Sequence, residues 1–337
     1  MKAADAGAAL PKQRLEILPA LTPLLVAAAA APLINSTSTF VTLTAAGLAM
    51  GMMIFTMASG LTLAFGMMDV LNFGHGAFIS LGAYVATLVF APLAPWANAD
   101  SLVLNLAVIA LAVAAAALVG GIVGYFFERL LIVPVYGQHL KQILVTLGGA
   151  IVAEQLLYAL FGPQQIPLPP PATLHGSLFI GQAEIEKYRV LALVVGFAVF
   201  LGQILILSRT KIGLLIRAGV ENREMVEALG YRIDRLFVGV FMAGAALAGL
   251  GGVLWALYRG QVHASMGGEL LVLIFIVVII GGLGSVTGCF LGAILVSLIA
   301  NYAGFLAPKF ALVSNIAAMV VVLLWRPRGL YPVGSSR

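Results

Sequence analysis

The sequence predicts an all-α, polytopic membrane protein with eight to ten transmembrane helices, some of them broken or re-entrant. Hydrophobic residues make up 62% of the 337 residues and charged residues only 9%, far below the roughly 25% charged share of soluble domains. The apolar segments also repeatedly reach the ~17 to 25 residues that a helix needs to cross a bilayer. The lipid bilayer is therefore the expected environment of almost the whole chain.

Ten apolar segments are candidate membrane spans, and together they predict one transmembrane domain from residue 15 to residue 330. The first is predicted to be a retained helix rather than a cleaved signal peptide, because no small-residue cleavage site closes it. The third and eighth are rich in glycine, and broken helices at membrane depth need protein or a water cavity around them. The segments are 15–34, 42–66, 68–90, 102–127, 143–161, 189–207, 235–257, 268–284, 286–305 and 310–325.

The basic residues lie in short connections rather than in one patch, which indicates topology signals and no nucleic-acid partner. Alternating the spans from an inside N-terminus puts fourteen of the 18 Lys and Arg residues on the cytoplasmic side. The positive-inside rule favours this orientation over its inverse. Both termini are therefore predicted to be cytoplasmic, as tails at residues 1–14 and 331–337.

Residues 162–188 form a long connection that the same topology places outside. Proline fixes φ and lacks an N–H group, so a proline-rich stretch argues against helix and for extended backbone. A rigid spacer and a recognition loop are both compatible with this composition. The prolines are Pro163, Pro167, Pro169, Pro170 and Pro171.

Residues 208–234 form a cytoplasmic connection of a different kind, with one amphipathic helix predicted from Leu215 to Leu229. Gly230 follows at the position of a left-handed C-cap. The charged face fits either lipid headgroups or a groove in a cytoplasmic partner. The apolar stripe consists of Leu215, Ala218, Met225, Val226 and Leu229.

The third span places polar residues at helical spacing: Asp69, Asn72, Gly76 and Ser80 are predicted to share one face, with His75 at its edge. A carboxylate at membrane depth costs ~2.5 to 3.5 kcal/mol, so this face should meet water or the bundle interior. The face is a candidate substrate pathway, and hydrogen bonding between helices is the competing interpretation. Glu154 and Glu269 are the other candidates for buried charges.

Gly284, Gly288 and Gly292 repeat every four residues, a spacing that lets helix backbones pack closely. The glycine-rich run that ends at Gly288 is not followed by the lysine of a phosphate-binding loop. The sequence therefore predicts no cofactor in this chain, and ATP, if it is used, must be bound by partner ATPase subunits.

The four histidines are scattered, with no Cys or carboxylate at metal-ligand spacing, and no hydrolase motif occurs. The prediction is a protein that is not an enzyme, with no catalytic residue and no metal site. An ion-coupled secondary transporter of a small polar solute remains an alternative to an ATP-driven transporter.

Short motifs occur in a fixed order between about residues 43 and 330, namely Gly60–Gly66, Asn72–Gly76, Glu128-Arg129, Pro134-Val135, Thr210–Ala218, Asn222, Ala228–Gly230, Asp234-Arg235 and Gly281–Ser285. In these motifs the chain resembles permeases of the branched-chain amino acid type of ATP-binding-cassette importer. The segment from Thr210 to Arg235 resembles the family most strongly.

This resemblance implies an assembly in the bacterial inner membrane, with a second permease subunit, homologous or identical, and two cytoplasmic ATP-binding subunits. An extracytoplasmic solute-binding protein would deliver the substrate, a branched-chain or related amino acid; other relatives carry urea or aromatic acids. The resemblance also favours partner docking over headgroup contact for residues 208–234. The coupling residues it implies are Gly213, Arg217, Ala218, Asn222, Ala228 and Gly230.

Overall fold

The computed structural model describes residues 17–221 and 223–332, and in these ranges the chain is mainly helical. Six helices are long and apolar enough to cross a membrane, and four shorter apolar helices accompany them. This confirms an all-α, polytopic membrane protein. The terminal tails predicted at 1–14 and 331–337 lie, except for Tyr331 and Pro332, outside the described residues.

The first half of the described residues contains seven α-helices. They are α1 (Ile17–Ala20), α2 (Thr22–Ala30), α3 (Thr37–Met68), α4 (His75–Phe90), α5 (Ala94–Ala97), α6 (Leu102–Phe127) and α7 (His139–Phe161). A π-helical turn at Glu128–Ile132 and a 3-10 turn at Val133–Val135 extend α6.

Four short strands, β1 (Ile166–Pro167), β2 (Ser177–Ile180), β3 (Ala183–Glu186) and β4 (Gln261–Val262), separate or follow helices in the second half. The strands pair antiparallel as β1 with β4 and β2 with β3. The helices are α8 (Lys187–Arg209), α9 (Lys211–Glu221), α10 (Arg223–Ala228), α11 (Ile233–Arg259), α12 (Met266–Gly281), α13 (Val286–Leu306) and α14 (Ala311–Trp325).

One end of the bundle, here called the α9 end, contains the C-terminus of α3 and the connecting segments that contact it. The Tyr136 hydroxyl donates to the Met68 carbonyl oxygen at 3.1 Å, and the backbone of Gly66 lies against Gly284. The chain after α14 returns to the same end, where the Leu330 N–H donates to the Ile280 carbonyl oxygen.

The opposite end, here called the sheet end, carries the four strands. The Glu184 N–H of β3 donates to the Thr42 hydroxyl near the start of α3. Pro167 of β1 pairs with Gln261 of β4, directly after α11. The proline-rich connection is thus tied to helix ends by hydrogen bonds, and α3 and α11 run in opposite directions between the two ends.

Small residues let the long helices approach closely at the centre of the bundle. A Cβ on Gly244 of α11 would lie only 2.7 Å from the carbonyl oxygen of Gly60 in α3. Because real Cβ atoms do not come so near to a backbone oxygen, α3 and α11 can only cross in this way with glycine at that contact. The small-residue pattern of the sequence therefore corresponds to backbone contact here.

Two short helices, α4 and α12, begin inside the bundle rather than at its ends. After α3 the chain turns back through residues 69–74 before α4 begins, and after α11 it turns back through residues 260–265 before α12 begins. Their first turns meet, because a Cβ on Gly76 would lie 2.6 Å from the carbonyl oxygen of Gly267. From this contact α4 runs to the sheet end and α12 to the α9 end.

The predicted third span, 68–90, is broken rather than one continuous helix, in line with its glycine content. Asp69 closes α3 with a left-handed backbone, φ 51° and ψ 36°, which aspartate tolerates better than most residues. Residues 69–74 are not helical, and they contain the turn at Gly74 that the apolar pattern does not show. Glycine in the predicted third and eighth spans does coincide with broken helices.

Candidate functional site

Asp69 lies at the α9 end, away from the meeting point of α4 and α12. Its side chain is 73% exposed, and its Oδ2 lies 3.8 Å from His139 Nε2. The predicted helical face of Asp69, Asn72, Gly76 and Ser80 is therefore wrong, because Asp69 caps α3 and Asn72 lies in the turn that follows. A carboxylate at this position meets solvent instead of membrane interior.

Asn72 is buried in that turn and stabilises it. Its Oδ1 accepts a hydrogen bond from the Gly74 N–H at 2.9 Å, the short-range pattern by which asparagine mimics a backbone turn. The Phe73 N–H donates to the Thr146 hydroxyl at 3.2 Å, which ties the turn to α7. Asn72 thus sets the direction in which the chain re-enters the bundle.

His75 opens α4 and anchors it to α3. The ring is buried, and Nε2 lies 2.9 Å from the Met57 carbonyl oxygen. Because a carbonyl oxygen only accepts, Nε2 must carry the proton and donate it. Met57 lies well within α3, so this bond holds the start of α4 at membrane depth.

Ser80 closes the contact between the two short helices. Its hydroxyl donates to the Ala264 carbonyl oxygen at 2.8 Å and accepts from the Gly267 N–H at 2.9 Å. The second bond satisfies one of the N–H groups that a helix leaves unpaired in its first turn. His75, Gly76 and Ser80 therefore come together at the start of α12, with Asn72 one turn away and Asp69 outside.

A polar cluster next to this contact, His263, Ser265 and Glu269, was not predicted as a site. His263 Nδ1 lies 3.1 Å from the Ser265 hydroxyl, which donates to Glu269 Oε1 at 3.0 Å. The Glu269 side chain is 64% exposed, in the first turn of α12. Sequence reasoning singled out Glu269 only as a charge within a span; its neighbours became visible once the break before α12 was known.

The predicted coupling segment, residues 208–234, does not contain the single amphipathic helix that was predicted. Instead of one helix from Leu215 to Leu229, the structure has α9 and the short α10. Asn222 lies outside the described residues, and so does the side chain of Arg217. Of the predicted apolar stripe, Met225 and Leu229 are 61% and 71% exposed, whereas Val226 is buried.

Close packing and a left-handed turn fix the two ends of this segment. A Cβ on Gly213 would overlap the carbonyl group of Leu207 at the end of α8. Gly230 has φ +85°, the backbone predicted for it, and its N–H donates to the Glu227 carbonyl oxygen at 2.9 Å. Ala218 is half-buried and Ala228 is exposed.

The three glycines predicted to pack do lie against other backbone segments. Gly284 has φ +80° and sits in the turn between α12 and α13, where its Cβ would lie 2.8 Å from the Cα of Gly66. Gly288 lies against Gly281, and a Cβ on Gly292 would lie 2.8 Å from the Val277 carbonyl oxygen. These contacts join α3, α12 and α13 at the α9 end.

A family model described as the permease component of branched-chain amino acid transport systems matches residues 43–324. This match spans most of the chain, from the start of α3 to α14. The chain belongs to this permease family. The contact between α4 and α12, the polar cluster and the segment from α9 to α10 all fall within the matched residues.

Curated relatives in bacteria support the membership. The chain is 28% identical over 291 residues to the high-affinity branched-chain amino acid transport system permease protein BraD of Pseudomonas aeruginosa, covering 84% of this chain and 93% of BraD. It is 25% identical over 296 residues to LivH of Escherichia coli K12, covering 84% and 92%.

LivM of Escherichia coli K12, named as a permease protein of the same kind of system, is 28% identical to the chain over 306 residues, covering 81% of this chain and 66% of LivM. The permease family member described here is therefore similar to two permease proteins, LivH and LivM, of the same bacterium. No solved structure matches the chain.

Proposed function

We propose that this chain is the membrane-spanning permease subunit of an ATP-driven importer for branched-chain or related amino acids. The observation that supports it best is the paired break inside the bundle, where α4 and α12 start against each other at Gly76 and Gly267. Breaks of this kind place polar backbone and side chains at membrane depth, where a transported solute must be handled. The names of BraD and LivH supply the substrate class.

In this assignment the substrate pathway runs past the junction of α4 and α12, with Asn72, His75, Gly76 and Ser80 as its supporting residues. The side chains of Asn72, His75 and Ser80 form hydrogen bonds with other parts of the chain, namely Gly74, Met57, Ala264 and Gly267. They accordingly hold the junction in shape. A second permease subunit, homologous or identical, would complete the pathway.

The segment from α9 to Gly230 would dock in a cytoplasmic ATP-binding subunit. Met225 and Leu229 expose apolar surface there, and Tyr231 is 52% exposed beside them. Exposed apolar side chains in a polar segment favour protein contact over water. Gly213, Ala218 and Ala228 lie along the same segment, and Arg217 and Asn222 belong to it in sequence.

The α9 end is cytoplasmic in this proposal, because the basic residues of the connections there follow the positive-inside rule. The N-terminus and the C-terminus would both lie in the cytoplasm of a bacterial cell, and a solute-binding protein would meet the sheet end from outside. Helices α4 and α12 would each cover part of the membrane thickness, beside the six helices that are long enough to cross it. ATP-driven amino acid uptake by vesicles that hold the complex tests the assignment.

A further inference from the structure

Glu269 is exposed close to the contact between α4 and α12, inside the bundle. A charged side chain there is costly if it faces lipid. Glu269 lies in the first turn of α12, two residues after Gly267, which contacts the start of α4. His75 in that first turn of α4 bonds to Met57, far from either end of α3. Val272, one turn further along α12, is an apolar residue that is also exposed. An ionised carboxylate in such a place is expected to face water or a cationic group rather than hydrocarbon.

The neighbours of Glu269 fix the position of its carboxylate. Ser265 donates its hydroxyl proton to Oε1, so Ser265 Oγ in turn accepts from His263 Nδ1–H. These bonds use Oε1, and the structure shows no hydrogen bond to Oε2 among the described residues.

A polar pocket at the sheet end lies close in sequence to the cluster around Glu269. The pocket is shallow and is lined by Glu186, Arg189, Tyr258, Arg259 and Gln261. Gln261 belongs to β4, and His263 follows two residues later, where the chain turns back into the bundle. The pocket and the cluster around Glu269 are thus joined by a short stretch of chain.

We propose that Glu269, positioned by Ser265 and His263, binds the ammonium group of the amino acid substrate on the translocation pathway. This site rests on the proposed function, because only a transported amino acid brings an ammonium group past α12. A carboxylate with one oxygen open suits a primary ammonium, which has three donors and no acceptor. Contact with such a site must be weak enough for the substrate to leave again.

The first test compares Glu269→Gln with Glu269→Asp in the complete complex, reconstituted with its ATP-binding subunits and binding protein. The probe is labelled leucine taken up into vesicles that contain ATP. Glu269→Gln keeps the size but removes the charge, and its uptake rate is expected to fall by about tenfold or more, the usual consequence of losing a charge-assisted hydrogen bond. Glu269→Asp should recover most of the rate, and Glu184→Gln, which removes an exposed carboxylate from β3, should not change it.

The second test compares two inhibitors of uptake, first on the wild-type complex and then on Glu269→Gln. 3-Methylbutylamine carries the leucine side chain and an ammonium group, whereas 3-methylbutan-1-ol has the same shape without charge. The amine is expected to inhibit uptake by the wild-type complex several-fold more strongly than the alcohol. In Glu269→Gln this difference should disappear.

Each result decides between distinct explanations. Uptake by Glu269→Gln within twofold of wild type, or equal inhibition of wild type by amine and alcohol, would overturn the ammonium site and leave the importer assignment standing. If Glu269→Gln fails to assemble and the amine has no advantage on wild type, Glu269 pairs with a cation of the second permease subunit instead. Absence of ATP-driven uptake by wild type would refute the importer assignment, and the site with it.

Discussion

The backbone of Gly76 lies directly against the backbone of Gly267, at the point where α4 and α12 begin. The two residues belong to different halves of the chain, and each follows a long helix and a short return segment. Their contact leaves no room for a Cβ on either residue. This junction holds both broken helices at the same depth of the bundle.

Gly267→Ala is expected to destabilise the protein by roughly 1 to 3 kcal/mol, the range for overpacking a tight contact, and to reduce transport. The reason is that its Cβ would overlap the Gly76 carbonyl oxygen. Thermal unfolding in detergent measures the effect. Gly148→Ala in α7 is the matched control, because a Cβ there meets nothing within 4 Å; equal melting temperatures for the two variants would contradict the junction.

Ser80→Ala should cost about 1 to 3 kcal/mol of stability, because it leaves a buried N–H and a buried carbonyl group without their partner. The groups are the Gly267 N–H and the Ala264 carbonyl oxygen. Ser208→Ala serves as control, since its exposed hydroxyl bonds only within α8. Unfolding of both variants by denaturant in detergent compares them, and a Ser80 variant as stable as the Ser208 variant would show that the hydroxyl does not hold α12.

Gly230→Val is expected to insert normally and to lose substrate-stimulated ATP hydrolysis together with transport. Valine resists the positive φ of 85° at this position, at a cost of order 1 to 3 kcal/mol, so the end of α10 should shift. Arg217→Glu, in the same segment, should have a weaker effect of the same kind. The two activities are measured on the reconstituted complex.

Gly181→Val is the control for backbone strain, because Gly181 also has positive φ, 64°, but lies in the turn between β2 and β3 at the sheet end. It should leave ATP hydrolysis coupled to transport. If Gly230→Val and Arg217→Glu both assemble with the ATP-binding subunits and transport at the normal rate, the coupling role of the segment is wrong.

Asp69→Cys and Gly181→Cys should be labelled by a membrane-impermeant maleimide from opposite sides of the membrane. Asp69 is exposed at the α9 end and Gly181 at the sheet end. Cys289 is buried, and Cys289→Ala gives a background without it. Labelling of Asp69→Cys only from the inside is expected; labelling only from the outside would invert the proposed orientation.

Much of the architecture follows from apolar length and small-residue spacing, because both act locally along the chain. The membrane fold, the broken helices in the glycine-rich segments and the left-handed backbone at Gly230 are of this kind. Asp69 misled the prediction because its spacing to Asn72 and Gly76 fits a helical period. Helical periodicity does not reveal a C-cap when the following turn is apolar.

The features that could not be predicted from the sequence depend on how the helices pack against one another. Nothing local to Gly76 indicates Gly267. Ser265 and His263 are close to Glu269 in sequence, but the predicted span 268–284 separated them from it, so the cluster was not recognised. Periodicity placed Met225 and Leu229 on the apolar stripe without indicating that they are exposed. Tertiary packing decides each of these cases, and periodicity carries no information about it.

The most direct test of the importer assignment is uptake of labelled leucine, isoleucine and valine into vesicles that contain this chain, its second permease subunit, the ATP-binding subunits and the binding protein. The account predicts uptake that requires ATP on the side of the α9 end and continues when an uncoupler collapses the proton gradient. Uptake that needs an ion gradient and proceeds without ATP would contradict it.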